Sequence, residues 1–297
     1  MNAGIGRIVL QMHGSEASFS ELSSTYPLKL LSPRIEQRNV SVVYVMTYGG
    51  GLVGGDRIDL SVDVKAGATL VMLSQGSTKV FKTRPGQRPS ARSQGTPSDA
   101  ITTQVMNVTI EDGGALFQLP DPVTCFRSAK YNQLQIFRIK GNASAVILDS
   151  VTSGRRALGE EWVFARYHSM NEIWVDEERI AKDVMLLEEQ DSASSMLAPR
   201  TLADTLRPYS CYATVIMYGP LVQDTIQRLS AEYAKIIVFR HALPPDLLWS
   251  FSPLKNGRGC ILRLAAKETE DIRTWLGEQL TAFQGIVGCD VYRKAVG

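Results

Sequence analysis

The chain has 297 residues, and its 32 lysines and arginines against 30 aspartates and glutamates leave a net charge of +2. That balance excludes the strong cationic footprint of a nucleic-acid binder. A hydrophobic fraction of 44% and a charged fraction of 21% are those of an ordinary globular protein, with no apolar run of the roughly 20 residues that a membrane helix needs. Met1 to Leu10 lacks the charged start and apolar core of a secretory signal, so the expected location is the cytoplasm.

In chain order, Ile5 and Ile8-Val9-Leu10 anchor a first strand, and the Ser-rich Ser15 to Ser24 is expected to be a loop. Tyr26 to Pro33 is extended, because residues before proline avoid the helical region. Val40 to Thr47 is a β-branched strand that leads into Tyr48-Gly49-Gly50-Gly51-Leu52-Val53-Gly54-Gly55-Asp56. Such a glycine cluster marks a turn or a close approach of backbones. Gly49-x-Gly51-x-x-Gly54 also matches the dinucleotide fingerprint by letter. An NAD(P)-dependent oxidoreductase using the 49–54 glycine cluster is therefore the alternative function, and it requires a helix after Gly54. The residues that follow alternate instead, with Ile58, Leu60, Val62 and Val64 against Asp59, Ser61 and Asp63, which is a strand period.

Three segments then echo one another: Val62–Leu73 around Gly67, Val108–Leu119 around Gly113, and Phe137–Leu148 around Asn142. Each is strand, polar turn and apolar strand, with Asn142 expected to take the positive-φ place of glycine. Repetition of this kind implies stacked β-structure. Between the first two, 83–99 is rich in Pro, Gly, Ser and Arg and is expected to be a mobile surface loop. Leu119-Pro120-Asp121-Pro122 is a corner. Glu161 to His168, Glu172 to Val175 and Ile180 to Leu187 are further strands, and Gln190 to Thr205 is a linker. After about Tyr209 the pattern becomes strand, helix (Leu221–Tyr233), strands at 236–239 and Gly259–Leu264, and a second helix from Thr269 to Phe283. The fold class expected is mainly β, a stacked and twisted β-helix-like scaffold over 1–205, with a small α+β part carrying two helices over 206–297.

Enzyme chemistry is hard to find. There is no P-loop, nucleophile elbow or closely spaced His/Cys/carboxylate cluster. Cys125, Cys211, Cys260 and Cys289 show no short metal or redox spacing and are expected to be free thiols. Asp59 and Asp63 share the solvent face of an alternating strand. A carbohydrate-active protein would need a groove with aromatic platforms or paired carboxylates, and Tyr44, Tyr48 and Trp162 are too scattered to supply one.

Gly49-Gly50-Gly51-Leu52-Val53-Gly54-Gly55-Asp56, Gly67-Ala68, and Gln75-Gly76-Ser77-Thr78-Lys79, followed by Leu119-Pro120-Asp121-Pro122, Ser153-Gly154-Arg155 and Gly159-Glu160, together resemble the urease accessory proteins called UreD or UreH. The order and spacing carry the resemblance, through Gly50, Gly51, Gly54, Gly55, Gly76, Lys79, Gly154, Arg155 and Gly159. It implies a mostly-β, non-enzymatic scaffold of urease maturation, whose partners are apo-urease, UreF and, through UreF, the GTPase UreG. It also implies no tightly bound cofactor but a transient Ni²⁺, carried along an internal passage of carboxylates and carbonyls. On that reading Asp56, Ser74, Asp121, Asp149 and Glu160 are the passage candidates. A conduit should bind its ion weakly at several points, because an ion held too tightly cannot leave. The chain departs from the family pattern in Asp121-Pro122, where a glutamine–glutamate pair is usual, in the 83–99 insertion, and after Pro220, where no motif matches.

Overall fold

The computed structural model describes residues 3–82, 100–188, 200–236, 244–255 and 257–296. The alternation at Ile58, Leu60, Val62 and Val64 is realised as a strand with those four side chains buried. That strand is the sixth of 18 among the described residues. Before it come β1 (Ile5–His13), β2 (Glu16–Ser24), β3 (Leu28–Leu31), β4 (Val40–Thr47) and β5 (Leu52–Val53). Then follow β6 (Arg57–Val64), β7 (Thr69–Leu73), β8 (Thr78–Phe81), β9 (Thr102–Ile110), β10 (Ala115–Gln118), β11 (Val123–Cys125), β12 (Lys130–Ile139) and β13 (Ser144–Thr152). The last five are β14 (Arg166–Val175), β15 (Glu178–Glu188), β16 (Cys211–Tyr218), β17 (Leu247–Pro253) and β18 (Gly259–Ala266).

Two sheets stack. The first has the order β15-β14-β12-β9-β6-β1-β2, and the second runs β17-β18-β16-β13-β10-β7-β4-β3, with β11, β8 and β5 attached at one end. The chain alternates between the layers as it winds, so β6, β9, β12 and β14 pair in parallel in the first sheet. Likewise β4, β7, β10 and β13 pair in parallel in the second. The three echoed segments are the arcs between layers. Their turns close with the same bond, from Ala68 N to Lys65 O, Gly114 N to Glu111 O and Ala143 N to Lys140 O. The echo is thus real, but its units are not hairpins: the two strands flanking each turn lie in different sheets. In the third turn Gly141, not Asn142, takes the positive φ of 54°. Asp112 Oδ1 accepts from Asn142 N at 2.7 Å and stacks that turn on its neighbour.

The faces explain the composition of the strands. β6 alternates because only one face of the first sheet is covered. β7, β10 and nearly all of β13 are buried throughout, as expected of parallel strands covered on both faces. One face of the second sheet joins the first sheet in a core that includes Leu70, Met72, Leu116 and Ile147. The other packs under the C-terminal helices, where Val71, Phe117 and Val146 meet Ile226, Ile272, Leu276 and Tyr292.

Of the helices α1 (Leu202–Leu206), α2 (Gln223–Tyr233), α3 (Thr269–Gln279), α4 (Gln284–Val287) and α5 (Cys289–Val296), α2 and α3 match the two expected. β16 continues the second sheet by pairing antiparallel with β13. Among the described residues no helix is long and apolar enough to cross a membrane.

Several expectations are corrected. Ser15 to Ser24 is largely a strand, because an edge strand needs one covered face, and Ala17, Phe19 and Leu22 provide it. Strand structure does not begin at Glu161 but at Arg166, since Trp162 takes a left-handed φ of 56° and is buried. α1, α4, α5 and β17 were not expected. α1 stands in the expected linker, held by a capping box between Thr201 and Asp204. The expected mobile loop at 83–99, most of the rest of the linker, and residues 237–239 of the expected strand lie outside the described residues.

Candidate functional site

β6, not a helix, follows the glycine cluster. No helix N-terminus therefore stands behind Gly49–Gly54 to receive a pyrophosphate, and the dinucleotide alternative is overturned. The glycines serve backbone approach instead. β5 pairs in parallel with β8, and a Cβ on Gly51 would stand 2.4 Å from Lys79 O. The Gly50–Gly55 and Gly76–Lys79 motifs are thus parts of one structure. Asp56 closes the turn within it, accepting from Val53 N at 2.8 Å.

Between the sheets lies a cavity of about 70 Å³, lined on the first-sheet side by Gln104, Tyr131, Gln133 and Gln135 and on the other by Gln118 and Asp149, among others. A space this size admits water. A connected polar network borders it. Gln118 Nε2 donates to Gln135 Oε1 at 2.7 Å, and Gln135 Nε2 to Asn171 Oδ1 at 3.0 Å. Asn171 Nδ2 in turn donates to Asp149 Oδ2 at 2.7 Å. Asp149 also receives Gln133 Nε2 at 3.0 Å, the Tyr167 hydroxyl at 3.3 Å and the Ser169 hydroxyl. Burial pushes the Asp149 carboxyl above its ordinary range, against those hydrogen bonds, which favour the charged form. Burial likewise raises the Tyr131 and Tyr167 hydroxyls and the Cys125 thiol.

One buried oxygen at this cavity, Gln118 Oε1, has no hydrogen-bond partner among the described residues. A buried acceptor without a partner is costly, so this atom suits a polar occupant such as water. Among the described residues no three His, Cys, Asp or Glu side chains converge to hold a metal ion. The arrangement of one carboxylate among amides and hydroxyls favours weak oxygen coordination over tight chelation.

Asp121 marks the end of this interior. It lines the cavity and also an open cleft of about 590 Å³, whose walls include Lys79, Arg155, Arg156 and Arg273. Ser74 Oγ accepts from Asp121 N at 2.7 Å, and Asp121 Oδ2 accepts from Gly76 N at 2.9 Å. Arg155, on the cleft wall, clasps Glu160 through two bonds of 2.8 and 2.7 Å and lies over the Phe126 ring at 4.3 Å. The Arg155 guanidinium holds the Glu160 carboxyl below the usual range, with Arg127 adding to the effect. Gly154 and Gly159 shape the loop that presents Arg155, both with positive φ.

Of the five sequence candidates, Ser74, Asp121 and Asp149 meet at one cavity, Glu160 reaches the adjoining cleft through Arg155, and Asp56 sits apart in its turn. Sequence reasoning missed the amide network. Its signal was present: in β12, Tyr131, Gln133 and Gln135 share the inward parity of Phe137 and Ile139. Across the parallel pairing, Gln133 and Gln135 stand opposite Ser169 and Asn171 of β14. Polar residues on the buried parity of two paired strands mark a buried network.

Known proteins share this chain over its length. A family model described as UreD urease accessory protein matches residues 3–295. Urease accessory protein 4 of Cryptococcus neoformans var. grubii is 40% identical, covering 94% of this chain and 90% of its own. Urease accessory protein D of Arabidopsis thaliana is 29% identical, covering 95% and 97%. Urease accessory protein UreD of Anaeromyxobacter is also 29% identical, covering 99% and 90%. The chain belongs to the UreD family of urease accessory proteins.

Proposed function

We propose that this chain is a non-enzymatic, cytoplasmic scaffold of urease maturation. It binds apo-urease and UreF, and UreG through UreF, and lets Ni²⁺ pass through its interior on the way to the urease active site. The observation that carries the passage is the polar cavity between the sheets, with Asp149 inside, Asp121 at its end and the unpartnered Gln118 Oε1 on its wall. Asp149 supplies a charge and Gln118 supplies a neutral oxygen, a donor set that a hydrated divalent cation exchanges quickly. The nickel ion is cargo, and no residue is asked to retain it.

The test is urease activity in cells that express urease and the cognate accessory proteins, with and without this chain. Activity that depends on the chain, with specific loss in Asp149→Asn and Asp121→Asn at unchanged chain abundance, is the expected result. Full activation without the chain would end the maturation reading. Full activation by both variants would end the passage and leave a scaffold.

A further inference from the structure

The most exposed large hydrophobic side chain among the described residues is Leu158, at 65%. It stands on a single turn, Arg156–Leu158, that its neighbours hold in place. Leu158 N donates to Arg155 O and Gly159 N to Arg156 O, both at 2.9 Å. Gly154 and Gly159 flank the turn with positive φ, and Arg155 is clasped by Glu160 and laid on Phe126. A loop fixed at this many points loses little freedom when a partner arrives. The turn is also a ridge. Arg156 lines the open cleft on one side and, on the other, a hollow of about 580 Å³ that Glu161 and Arg207 help to form. Charge along the ridge is layered. Glu160 pairs with Arg155 and Arg127, and Glu161 with Arg156 and Arg207. The two carboxylate side chains are 9% and 31% exposed, the four arginines 41% to 63%. Arg156 also reaches Glu268, so four guanidiniums answer three carboxylates. Each guanidinium carries five N–H donors, more than one carboxylate takes. The ridge therefore presents an apolar knob within a net positive rim.

We propose that the Leu158 ridge is the surface on which this chain docks apo-urease, seating the leucine in an apolar socket rimmed with carboxylates on that enzyme. This deepens the maturation reading and rests on it. The occupant follows from place and charge. Asp121, at the end of the polar interior, also lines the cleft that the ridge borders. A protein seated on the ridge roofs that cleft and takes a cation from it without losing it to solvent. An enzyme still waiting for its dications also carries less positive charge around the empty site than around the filled one. Such a surface suits a basic rim, which steers the encounter and fixes its orientation. Filling the site with metal weakens the same attraction, so the charge that recruits the apoenzyme favours release of the loaded one.

The experiment measures binding of purified apo-urease, and separately of UreF, to the immobilised full chain at about 50 and 300 mM NaCl. Leu158→Ala should weaken apo-urease binding about tenfold or more, and Leu158→Met, which keeps the apolar bulk, should bind as the wild type does. Arg127→Gln combined with Arg207→Gln should slow association with apo-urease at the lower salt, and the deficit should shrink at the higher. UreF binding should be unchanged in every variant. Should the double variant disturb α1, which ends at Arg207, the exposed Leu158→Ala alone carries the test. If the wild type and Leu158→Ala bind apo-urease equally, or if Leu158→Ala loses UreF instead, the ridge assignment is overturned and the maturation reading stands. If the wild type binds neither protein at either salt, the maturation reading falls and this one with it.

Discussion

Asn171 on β14 and Asp149 on β13 belong to different sheets and meet across the interior, Asn171 Nδ2 donating to Asp149 Oδ2 at 2.7 Å. One carboxylate placed between two hydrophobic layers needs several donors to be tolerated at all, and Gln133, Ser169 and Tyr167 complete the set. Burial still dominates and raises the Asp149 pKa. A carboxyl whose folded pKa lies above its unfolded value contributes stability that is full below about pH 4 and is lost as pH rises through the folded value. The wild type should therefore lose stability relative to Asp149→Asn as pH climbs from about 4 towards neutrality. Thermal unfolding of both proteins across that range checks this, and a difference that does not change with pH would sink it.

Glu160 behaves in the opposite sense. Its pKa is lowered by the Arg155 clasp, so its contribution is present above the ordinary glutamate value of about 4.3 and fades as pH falls through the folded one. Glu160 is 7% exposed, but the Arg155 side chain is 41% exposed, so solvent screens the pair. Glu160→Gln should lower Tm by a few degrees at neutral pH and by less in acid. Arg155→Lys should not substitute for arginine, because lysine offers neither the two-pronged bond nor the planar stack on Phe126. A lysine variant as stable as the wild type, measured by denaturant midpoint, would refute that account.

What could be read from the chain depended on how local the determining physics was. The strand at β6 was legible because one face is wet and the period shows. The stacked turns at Gly67 and Gly113 were legible because their chemistry repeats within a few residues. The pairing of β10 with β7 and β13 was not, since uniformly buried strands carry no facing signal. β2 was missed because the hydrophobic demand on an edge strand is slight. The candidates Ser74, Asp121 and Asp149 came from a family resemblance, and the geometry places them around one cavity. Gln118, Gln135 and Asn171 matched no motif, and their common role exists only once two sheets face each other.

The two glycines of the Arg155 loop should differ in what they tolerate. Both have positive φ, 127° at Gly154 and 69° at Gly159. A Cβ on Gly154 would stand 2.8 Å from Glu160 O, whereas one on Gly159 meets nothing within 4 Å. Gly159→Ala should cost only the left-handed backbone penalty, about 1 kcal/mol. Gly154→Ala adds a backbone clash that the loop must move to relieve, for a total of about 2–4 kcal/mol. Denaturant unfolding of the two variants reads the order directly, and equal midpoints would show that the loop gives way freely.

Asp56 and Asp149 are both buried acids, at 4% and 9% exposure, yet their bonds assign them different work. Asp56 accepts from Val53 N and its own N–H reaches back to Val53 O, a closed local turn remote from the amide network. Asp149 is mid-strand and turned towards the cavity. On the passage reading, Asp56→Asn should lose stability by about 1 kcal/mol and reduce urease activation only as far as the amount of folded chain falls, recovering at lower growth temperature. Asp149→Asn should reduce activation per folded chain, and cooling should not restore it. Measuring activation and soluble chain together at two temperatures separates the cases. If both variants fell and recovered in parallel, Asp149 would be a structural acid like Asp56, and the interior would need another explanation for its unpartnered Gln118 oxygen.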